Sequence, residues 1–305
     1  MIKAAILTER GDHADLPRLV QLLHDHPDVE LMSYADVVNA DKRLDELYPA
    51  LTGETDLRVT PKIDVSKVDV VFIAAGTEVA RNFMLYTELP DDLYVIDMSG
   101  LFKMPAENNK FIQGIPELNR KAMVRGSHYV SMPDPTTTAV ALSLLPLAKN
   151  LMLNNPIHVH VVSHNAQAES NSLTASILDN EVANQLTAAL GSLQNSFDAP
   201  IKGVEFSGDT TEGLIALTTI ETSTSLEDIK SLYNDFYDDH NFTFIVDGVP
   251  DITDARDTNK CFIHLDKKGN TLVVTAVLDT EFKGGAGNAV HAMNLLFGLI
   301  EKVGL

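Results

Sequence analysis

The residue types that could do chemistry include one cysteine, Cys261, and three closely spaced histidines, His158, His160 and His164. Cys261 is the one thiol of the chain, so thiol chemistry would have to use it, but its apolar neighbours are typical of a strand whose cysteine lies in the core. His158 and His160 would share one face of a strand, where two imidazoles can bind a metal ion together. The sequence fixes no carboxylate or cysteine beside them, so we predict two solvated histidines and no metal site.

The segment from Lys283 to Gly298 places several glycines directly before an apolar helical pattern. Glycine lets another group approach the backbone closely, and the first turn of a helix offers unpaired N–H groups to an anion or to a nicotinamide carboxamide. A glycine-rich turn without a ligand explains the segment equally well. The segment by itself therefore leaves both interpretations open.

The elements that must position these residues differ between the two halves of the chain. In the first half, short apolar strands alternate with helical patterns, which predicts a parallel sheet wrapped by helices. The strands expected there are 3–7, 29–32, 68–75, 93–98 and 129–132. A helix is expected over 137–151, directly after Pro133 and Pro135, because proline is favoured at a helix entrance.

In the second half strands predominate, which predicts a mixed or antiparallel sheet. The strands expected there are 157–163, 201–207, 213–220, 242–246, 261–265 and 271–277. Helices are expected over 173–190 and 226–237, and a last helix begins near Gly287. No linker-like segment separates the halves, so we place the boundary in a short connection near residue 134.

Length and charge exclude several classes of protein. The chain has 305 residues and a formal net charge of −20, so a bulk basic surface for nucleic acid is excluded. No apolar run approaches the roughly 18 residues of a membrane span, and charges interrupt the N-terminal segment where a signal peptide is apolar. We expect a cytoplasmic protein whose partners are neither nucleic acid nor membrane.

Several blocks, in the same order over nearly the whole chain, resemble the N-acetyl-gamma-glutamyl-phosphate reductases, relatives of the aspartate-semialdehyde dehydrogenases. The segment from Lys283 to Gly298 is similar to the family ending Lys-Gly-Ala-Ala-Gly-Gln-Ala-Val-Gln-Asn-Met-Asn-Leu-Met-Phe-Gly. Other similar blocks begin at His26, Leu47, Val68, Val95, Gly114 and Asp254.

The resemblance implies an α/β fold with two domains. A Rossmann-like NAD(P)-binding domain would span 1–134 and be completed by the C-terminal helix 286–305. An α+β substrate and dimerisation domain with a mixed sheet would span 135–285. The resemblance also implies NADPH as the reductant, a place in arginine biosynthesis, and homo-oligomers built on the substrate domain.

The chain departs from the family at the residues of the reaction, in which a cysteine thiolate attacks an acyl phosphate and a histidine acts as acid and base. The family's Asn-Pro-Gly-Cys-Tyr-Pro-Thr-Ala matches 132–139, which puts Pro135 on the cysteine. The family's Gly-His-Arg-His-x-Pro-Glu-Ile puts Ser176 on the histidine. Thr136, Thr137 and Thr138 carry hydroxyls that could attack only with a positioned base, so we expect them to cap the helix.

The anion-binding positions of the family change as well. The implied substrate-binding positions are Lys103, Glu169 and Glu212, of which only Lys103 keeps the positive charge of the family's arginines. The implied cofactor-binding positions are Gly11, Ser99, Gly287 and Asn288. Gly11 alone remains of the glycine-rich loop, and Glu9 and Asp12 would repel a pyrophosphate, so NADP binding is predicted to be weak.

Two functions remain open at this stage. One is a catalytically silent family member that acts as a binding or regulatory subunit, as a homo-oligomer or together with an active paralogue. The other is an active N-acetyl-gamma-glutamyl-phosphate reductase or semialdehyde dehydrogenase with an altered active site. The chain lacks the family's catalytic thiol, base, arginines and phosphate-binding loop, although the blocks that build the core are present. This combined loss favours the catalytically silent family member. The small-molecule ligand of the altered pocket is not predicted.

Overall fold

The computed structural model describes residues 1–11, 13–104, 109–164, 172–208 and 213–305. The chain divides into two compact units, one formed by 1–132 and 285–305 and the other by 133–284. Each unit is built on its own sheet. Among the described residues, no helix combines the length and the apolar character that crossing a membrane requires.

The first unit contains a six-stranded parallel sheet with the order β2-β1-β3-β4-β6-β5. Its strands are β1 (Ile2–Leu7), β2 (Val29–Ala35), β3 (Val70–Ile73), β4 (Tyr94–Asp97), β5 (Ile112–Gln113) and β6 (Tyr129–Ser131). Its helices are α1 (Leu16–Asp25), α2 (Leu44–Leu47), α3 (Thr77–Tyr86), α4 (Pro116–Val124) and the C-terminal α9 (Ala286–Leu296). The strand order reverses beside β1, and in parallel sheets of this kind ligands bind in the crevice beyond the carboxyl ends at that reversal.

The second unit contains a seven-stranded mixed sheet with the order β11-β12-β13-β10-β7-β9-β8. Its strands are β7 (Ile157–His164), β8 (Leu173–Ile177), β9 (Ile201–Gly208), β10 (Leu214–Glu221), β11 (Thr243–Ile245), β12 (Cys261–Lys268) and β13 (Thr271–Leu278). Its helices are α5 (Pro135–Lys149), α6 (Asn180–Leu193), α7 (Leu226–Tyr237) and α8 (Ile252–Ala255). The predicted α/β class, with a Rossmann-like sheet and a second mixed sheet, is confirmed.

Burial alternates along β7, β10 and β12 of the second sheet, so one face of these strands is covered and the other is more open. In β7, Ile157, Val159 and Val161 are buried, whereas His158 and His160 are exposed. This is the arrangement predicted for the two histidines. Helix α5 packs against β10 and β13, and nearly all of its side chains are buried. Cys261, the first residue of β12, is fully buried, as predicted for a core thiol.

The predicted helix over 173–190 is wrong at its beginning. Residues Leu173–Ile177 form the edge strand β8, which pairs antiparallel with β9. Helix α6 begins only at Asn180, where the Asp179 carboxylate accepts a hydrogen bond from the N–H of Glu181 at 2.8 Å. Pairing with β9 decides the conformation of the first five residues, because a neighbouring strand satisfies their backbone groups.

Candidate functional site

The first candidate site lies at the N-terminus of α5, in the second unit. Pro135 is the first helical residue, where a missing N–H costs nothing because that group has no partner inside the helix. Asp134 is the N-cap residue, but its side chain makes no capping bond and instead accepts a hydrogen bond from Gln185 Nε2 at 3.0 Å. A Cβ on Gly284 would lie 2.8 Å from Cβ of Pro135, so glycine is required beside the proline. The predicted cysteine position therefore holds a packed residue without a nucleophilic atom.

The three threonines that follow Pro135 do not cap α5, contrary to our expectation. They lie inside the first turn and are buried, because Asp134 already takes the N-cap position. Thr138 Oγ1 donates back to the carbonyl oxygen of Asp134 at 3.2 Å. Thr137 Oγ1 has no hydrogen-bond partner among the described residues. Thr136 Oγ1 instead contacts a carboxylate on the sheet.

That carboxylate belongs to Glu205, which sequence reasoning missed. Glu205 Oε1 accepts hydrogen bonds from Ser163 Oγ at 3.0 Å and from Thr136 Oγ1 at 3.4 Å. Glu205 pairs with the buried Val161 in β7, so it belongs to the covered face of the sheet. A charged residue at a covered position of a strand is the signal that could have identified it. We call Thr136, Ser163 and Glu205 the Glu205 cluster.

The predicted site residues of the second unit are only partly brought together. Ser176 lies in β8, exposed and directly opposite Glu205 in the register of the two strands. The register of β8 and β9 therefore places Ser176 beside the Glu205 cluster. Glu169 and Glu212 lie outside the described residues. Lys103 belongs to the first unit, where its side chain folds back over Gly100, which adopts a φ of +79°.

The second candidate site is the crevice beyond the carboxyl ends of β1, β3 and β4 in the first unit. Asp36 follows β2 and is fully buried. Its Oδ1 accepts hydrogen bonds from the N–H groups of Arg10 at 3.0 Å and Val38 at 2.9 Å, and its Oδ2 accepts one from Asn39 Nδ2 at 2.6 Å. This carboxylate holds the loop after β1 in place. It offers no exposed oxygen to a ribose hydroxyl, the group that an acidic residue here usually binds.

Two tyrosines lie beside Asp36. The hydroxyl groups of Tyr34 and Tyr48 are 2.8 Å apart, and burial raises the pKa of both phenols. The nearby Asp36 carboxylate raises both pKa values further, because ionised phenols would repel it. Both tyrosines therefore remain neutral in the folded protein.

The loop after β1 has an unusual backbone. Arg10 and Gly11 both adopt a φ of +65°, a conformation that glycine tolerates without strain. A Cβ on Gly11 would meet the Asp36 carboxylate and the Tyr34 hydroxyl at 3.8 Å, an ordinary contact distance. Gly11 therefore serves the local backbone conformation. Asp12 lies outside the described residues.

His13 connects this loop to the end of β4. Its Nε2 is 3.0 Å from the carbonyl oxygen of Met98, and its Nδ1 is 3.3 Å from the N–H of Asp15. A carbonyl oxygen can only accept, so Nε2 carries the proton and Nδ1 accepts from Asp15. The ring thus spans the carboxyl ends of β1 and β4, on either side of β3 in the sheet.

The other predicted cofactor residues make structural contacts within the first unit. Ser99 donates through its N–H and its Oγ to the buried Asp97 carboxylate, which holds the turn after β4. Gly287 and Asn288 lie buried in the first turn of α9. Asn288 Nδ2 donates to the carbonyl oxygen of Gly114 at 2.9 Å.

These residues do not fit a dinucleotide that is bound across the crevice. The acidic residue is buried and bonded to the protein, His13 spans the crevice, and Asp15 places a carboxylate at the N-cap of α1. Negative charge at a helix N-terminus opposes a second anion there, since like charges repel each other.

Two protein-family models match the chain. One, described as the semialdehyde dehydrogenase, NAD binding domain, matches residues 17–125. The other, described as the semialdehyde dehydrogenase, dimerisation domain, matches residues 136–280.

Curated proteins and solved structures match over the whole length. A protein from Bacteroides thetaiotaomicron named N-acetyl-gamma-glutamyl-phosphate reductase is 36% identical over 100% of this chain and 98% of its own. A protein of the same name from Christiangramia forsetii is 31% identical with the same coverage. Aspartate semialdehyde dehydrogenase II from Vibrio cholerae, complexed with ASA, gives a TM-score of 0.75 at 15% identity over 98% of each chain. Aspartate semialdehyde dehydrogenase with NADP from Candida albicans gives 0.73 at 13% identity, over 97% of this chain and 98% of that one.

Proposed function

This chain belongs to the N-acetyl-gamma-glutamyl-phosphate reductase family, and we propose that it keeps the fold of the family without its NADPH-dependent reduction of an acyl phosphate. The observation that carries this proposal is Pro135 at the first position of α5. Reduction through a covalent thioester requires a thiolate, and a pyrrolidine ring supplies no nucleophile. Cys261 does not replace it, because its side chain is fully buried in β12.

A hydroxyl nucleophile is the second candidate, and the Glu205 cluster is the observation that favours it. Thr136 follows Pro135, and its hydroxyl lies 3.4 Å from Glu205 Oε1, a carboxylate that could accept its proton. A threonine hydroxyl is a much weaker nucleophile than a thiolate and needs a well-aligned base in a short hydrogen bond. The contact between Thr136 and Glu205 is at the upper limit of hydrogen-bond length, and Glu205 Oε1 also accepts from Ser163. This contact does not meet the need for a well-aligned base, so catalysis by Thr136 is the less favoured of the two functions.

The crevice of the first unit supports the same proposal. Asp36 and His13 use the positions where a dinucleotide would be bound, and the residues present offer no glycine-rich cradle for a pyrophosphate. We propose that NADP is not a cofactor of this chain in the manner of its family.

In place of the reaction, the protein acts as a binding or regulatory subunit that associates through its second unit. The family match to a dimerisation domain supports association, and so does the open face of the second sheet. Several apolar residues on that face are half-buried within one chain: Val162, Val204, Phe206, Ile215, Leu217, Phe262 and Val273. An apolar sheet face of this extent needs a cover, which a second copy or an active paralogue would supply.

The experiment is an assay of the purified protein for oxidation of N-acetyl-glutamate semialdehyde with phosphate and NADP. We expect no turnover above background, while an active relative such as the Bacteroides thetaiotaomicron protein, assayed in parallel, shows that the reagents work. Turnover that survives Cys261→Ser and disappears in Thr136→Val would contradict the proposal and identify Thr136 as the nucleophile.

A further inference from the structure

Strand β8 is the outer strand of the second sheet, and among the described residues it is paired along one edge only. That edge pairs antiparallel with β9. The N–H of Leu178 donates to the carbonyl oxygen of Gly203 at 3.0 Å, in the same register. Hydrogen-bonded pairs alternate along an antiparallel ladder. The backbone N–H and C=O groups of Leu173, Ala175 and Ile177 therefore point away from β9.

The free edge of β8 lacks the features that usually keep a strand edge from pairing with another chain. Natural sheets protect such edges with charged side chains, proline or bulges. The sequence of β8 is Leu-Thr-Ala-Ser-Ile, and its register with β9 is regular. Every residue of the strand is exposed, Leu173 by 60% and Ile177 by 84%. An edge of this kind is a template for a further strand.

The apolar side chains of β8 continue the open face of the second sheet. Ala175 and Ile177 lie opposite Phe206 and Val204 of β9, which belong to that face. Residues directly opposite each other in a sheet have their side chains on the same face, and Leu173 shares it because strands alternate with a period of two. Strand β8 also lies within the residues that match a dimerisation domain. It is therefore continuous with the surface through which the second unit is expected to associate.

We propose that β8 pairs antiparallel with β8 of a second copy of this chain, about a two-fold axis at Ala175. This register pairs every residue of the strand, and the outward N–H and C=O groups of the two chains exchange hydrogen bonds. It places Leu173 opposite the partner's Ile177, which makes an apolar pair on the open face, and Thr174 opposite the partner's Ser176 on the other face. The strand carries no charge, so the repulsion between two chains of net charge −20 is not increased at this contact.

The inference rests on the proposed function and deepens it, because it names a second contact through which the second unit associates. Five paired residues are far fewer than the roughly 20–30 residues on each side of a stable interface. The edge therefore joins chains that the open face already holds in pairs. Two-fold contacts at two places on one chain close an assembly of four chains. Loss of the open-face contact leaves monomers, whereas loss of the edge contact leaves pairs.

The test is disulfide trapping of Ala175→Cys. In the proposed register Ala175 lies opposite itself, and the Cα atoms of a hydrogen-bonded antiparallel pair are about 5.5 Å apart, which a disulfide can bridge. Thr174→Cys is the matched control, because it is equally on the exposed strand but would face the partner's Ser176. Cys261 is buried and common to both variants.

In a glutathione redox buffer, Ala175→Cys should give at least about fivefold more covalent dimer than Thr174→Cys, because cysteines whose Cα atoms are more than about 7 Å apart do not bridge. Non-reducing electrophoresis measures both yields. Equal yields would overturn the inference and leave the edge to a different partner, such as an active paralogue.

Ala175→Pro is the second variant. Proline removes an N–H that points away from β9, so the ladder with β9 is kept while pairing with a second copy is blocked. At physiological salt the variant should sediment at about half the mass of the unmodified assembly. An unchanged mass would contradict the edge contact.

The proposed function fails through turnover of the unmodified protein or through its sedimentation as a monomer. An oligomer without turnover, in which Ala175→Cys is not trapped selectively, contradicts the edge contact alone. The two failures are therefore distinguishable.

Discussion

At the scale of single residues, carboxylates that accept hydrogen bonds from the protein organise each of the two candidate sites. Asp36 accepts backbone N–H groups from the loop after β1, and Asp97 does the same for the turn after β4. Glu205 accepts hydroxyl groups from α5 and β7. Asp36 and Asp97 accept hydrogen bonds from the protein through both oxygens, so these two carboxylates have little capacity left for a ligand. Asp36, Asp97 and Glu205 therefore determine which hydrogen-bonding groups the two candidate sites use within the protein.

The first prediction concerns the dinucleotide. The affinity of the unmodified protein for NADP should be millimolar or undetectable, because Asp36 is bonded to the protein and His13 spans the crevice. Isothermal titration calorimetry measures it, with an active relative as the positive control. Micromolar binding would contradict the prediction and restore the interpretation of the chain as an oxidoreductase.

The second prediction concerns Tyr34. Burial raises its pKa above the ordinary value, so the folded protein keeps this phenol neutral where the unfolded chain ionises it. Its contribution to stability is full below about pH 10, the ordinary pKa of tyrosine, and is lost progressively as the pH rises above that value. In Tyr34→Phe the free energy of unfolding should decline less steeply over this alkaline range.

Urea unfolding at neutral and alkaline pH measures this slope. Tyr86→Phe is the matched control, because Tyr86 is 83% exposed and should leave the slope unchanged. Identical alkaline slopes in Tyr34→Phe and the unmodified protein would contradict the prediction, because they would show that folding does not raise the pKa of Tyr34.

At the scale of elements, β9 shows how closely the strands of the second sheet approach one another. Gly203 lies in β9 opposite Val159, and a Cβ on it would lie 2.2 Å from the Val159 carbonyl oxygen. Backbone atoms of a paired strand cannot move aside as the end of a flexible side chain can. Gly203 therefore permits β9 to pair with β7. The same pairing positions Glu205, two residues further along β9.

The third prediction compares two glycines. Gly203→Ala should lower the free energy of unfolding by about 1–3 kcal/mol, because the strands must separate to accept the methyl group. Gly191→Ala is the control: it lies in α6 with open space around it, and alanine there should stabilise by about 0.5–1 kcal/mol. Urea denaturation gives both values, and equal stabilities would contradict the close approach.

At the scale of the whole molecule, net charge and apolar surface have opposite effects on the association of copies of this chain. Each chain carries a net charge of −20, so copies repel, and only an apolar interface can outweigh this repulsion. The open face of the second sheet is the apolar surface proposed for that role. Salt should strengthen the association, because it screens the repulsion without weakening apolar contact.

The fourth prediction tests that face. The unmodified protein should sediment as an oligomer at physiological salt, and Leu217→Asp should shift it to the monomer. Leu217 lies in β10 between His160 and Thr275 on the open face. Leu85→Asp is the matched control, since Leu85 lies on α3 of the first unit and is 66% exposed. The unmodified protein could instead remain a monomer at tens of micromolar, whether salt or an active paralogue is added. That result would contradict both the proposed oligomer and the proposed regulatory role.

The sequence by itself determined the α/β class, most of the strands and the family. These features depend on local patterns of apolar residues and on blocks of residue types, both of which are readable along the chain. Strand boundaries moved by a few residues: the strand predicted over 68–75 is Val70–Ile73, and the one predicted over 29–32 extends to Ala35. The exposed His158 and His160 followed from alternation along a strand, and the buried Cys261 followed from its apolar neighbours.

Only the tertiary structure decided what the polar residues of the two sites contact. Strand β8 exists because β9 lies beside it, and a neighbour of that kind cannot be read from residues 173–177 alone. Glu205 is 69 residues from Thr136 and 42 from Ser163, yet one carboxylate oxygen accepts from both. His13 reaches Met98 over a separation of 85 residues. Hydrogen bonds between such distant residues depend on how the strands are ordered in the sheets, which local propensity and periodicity do not encode.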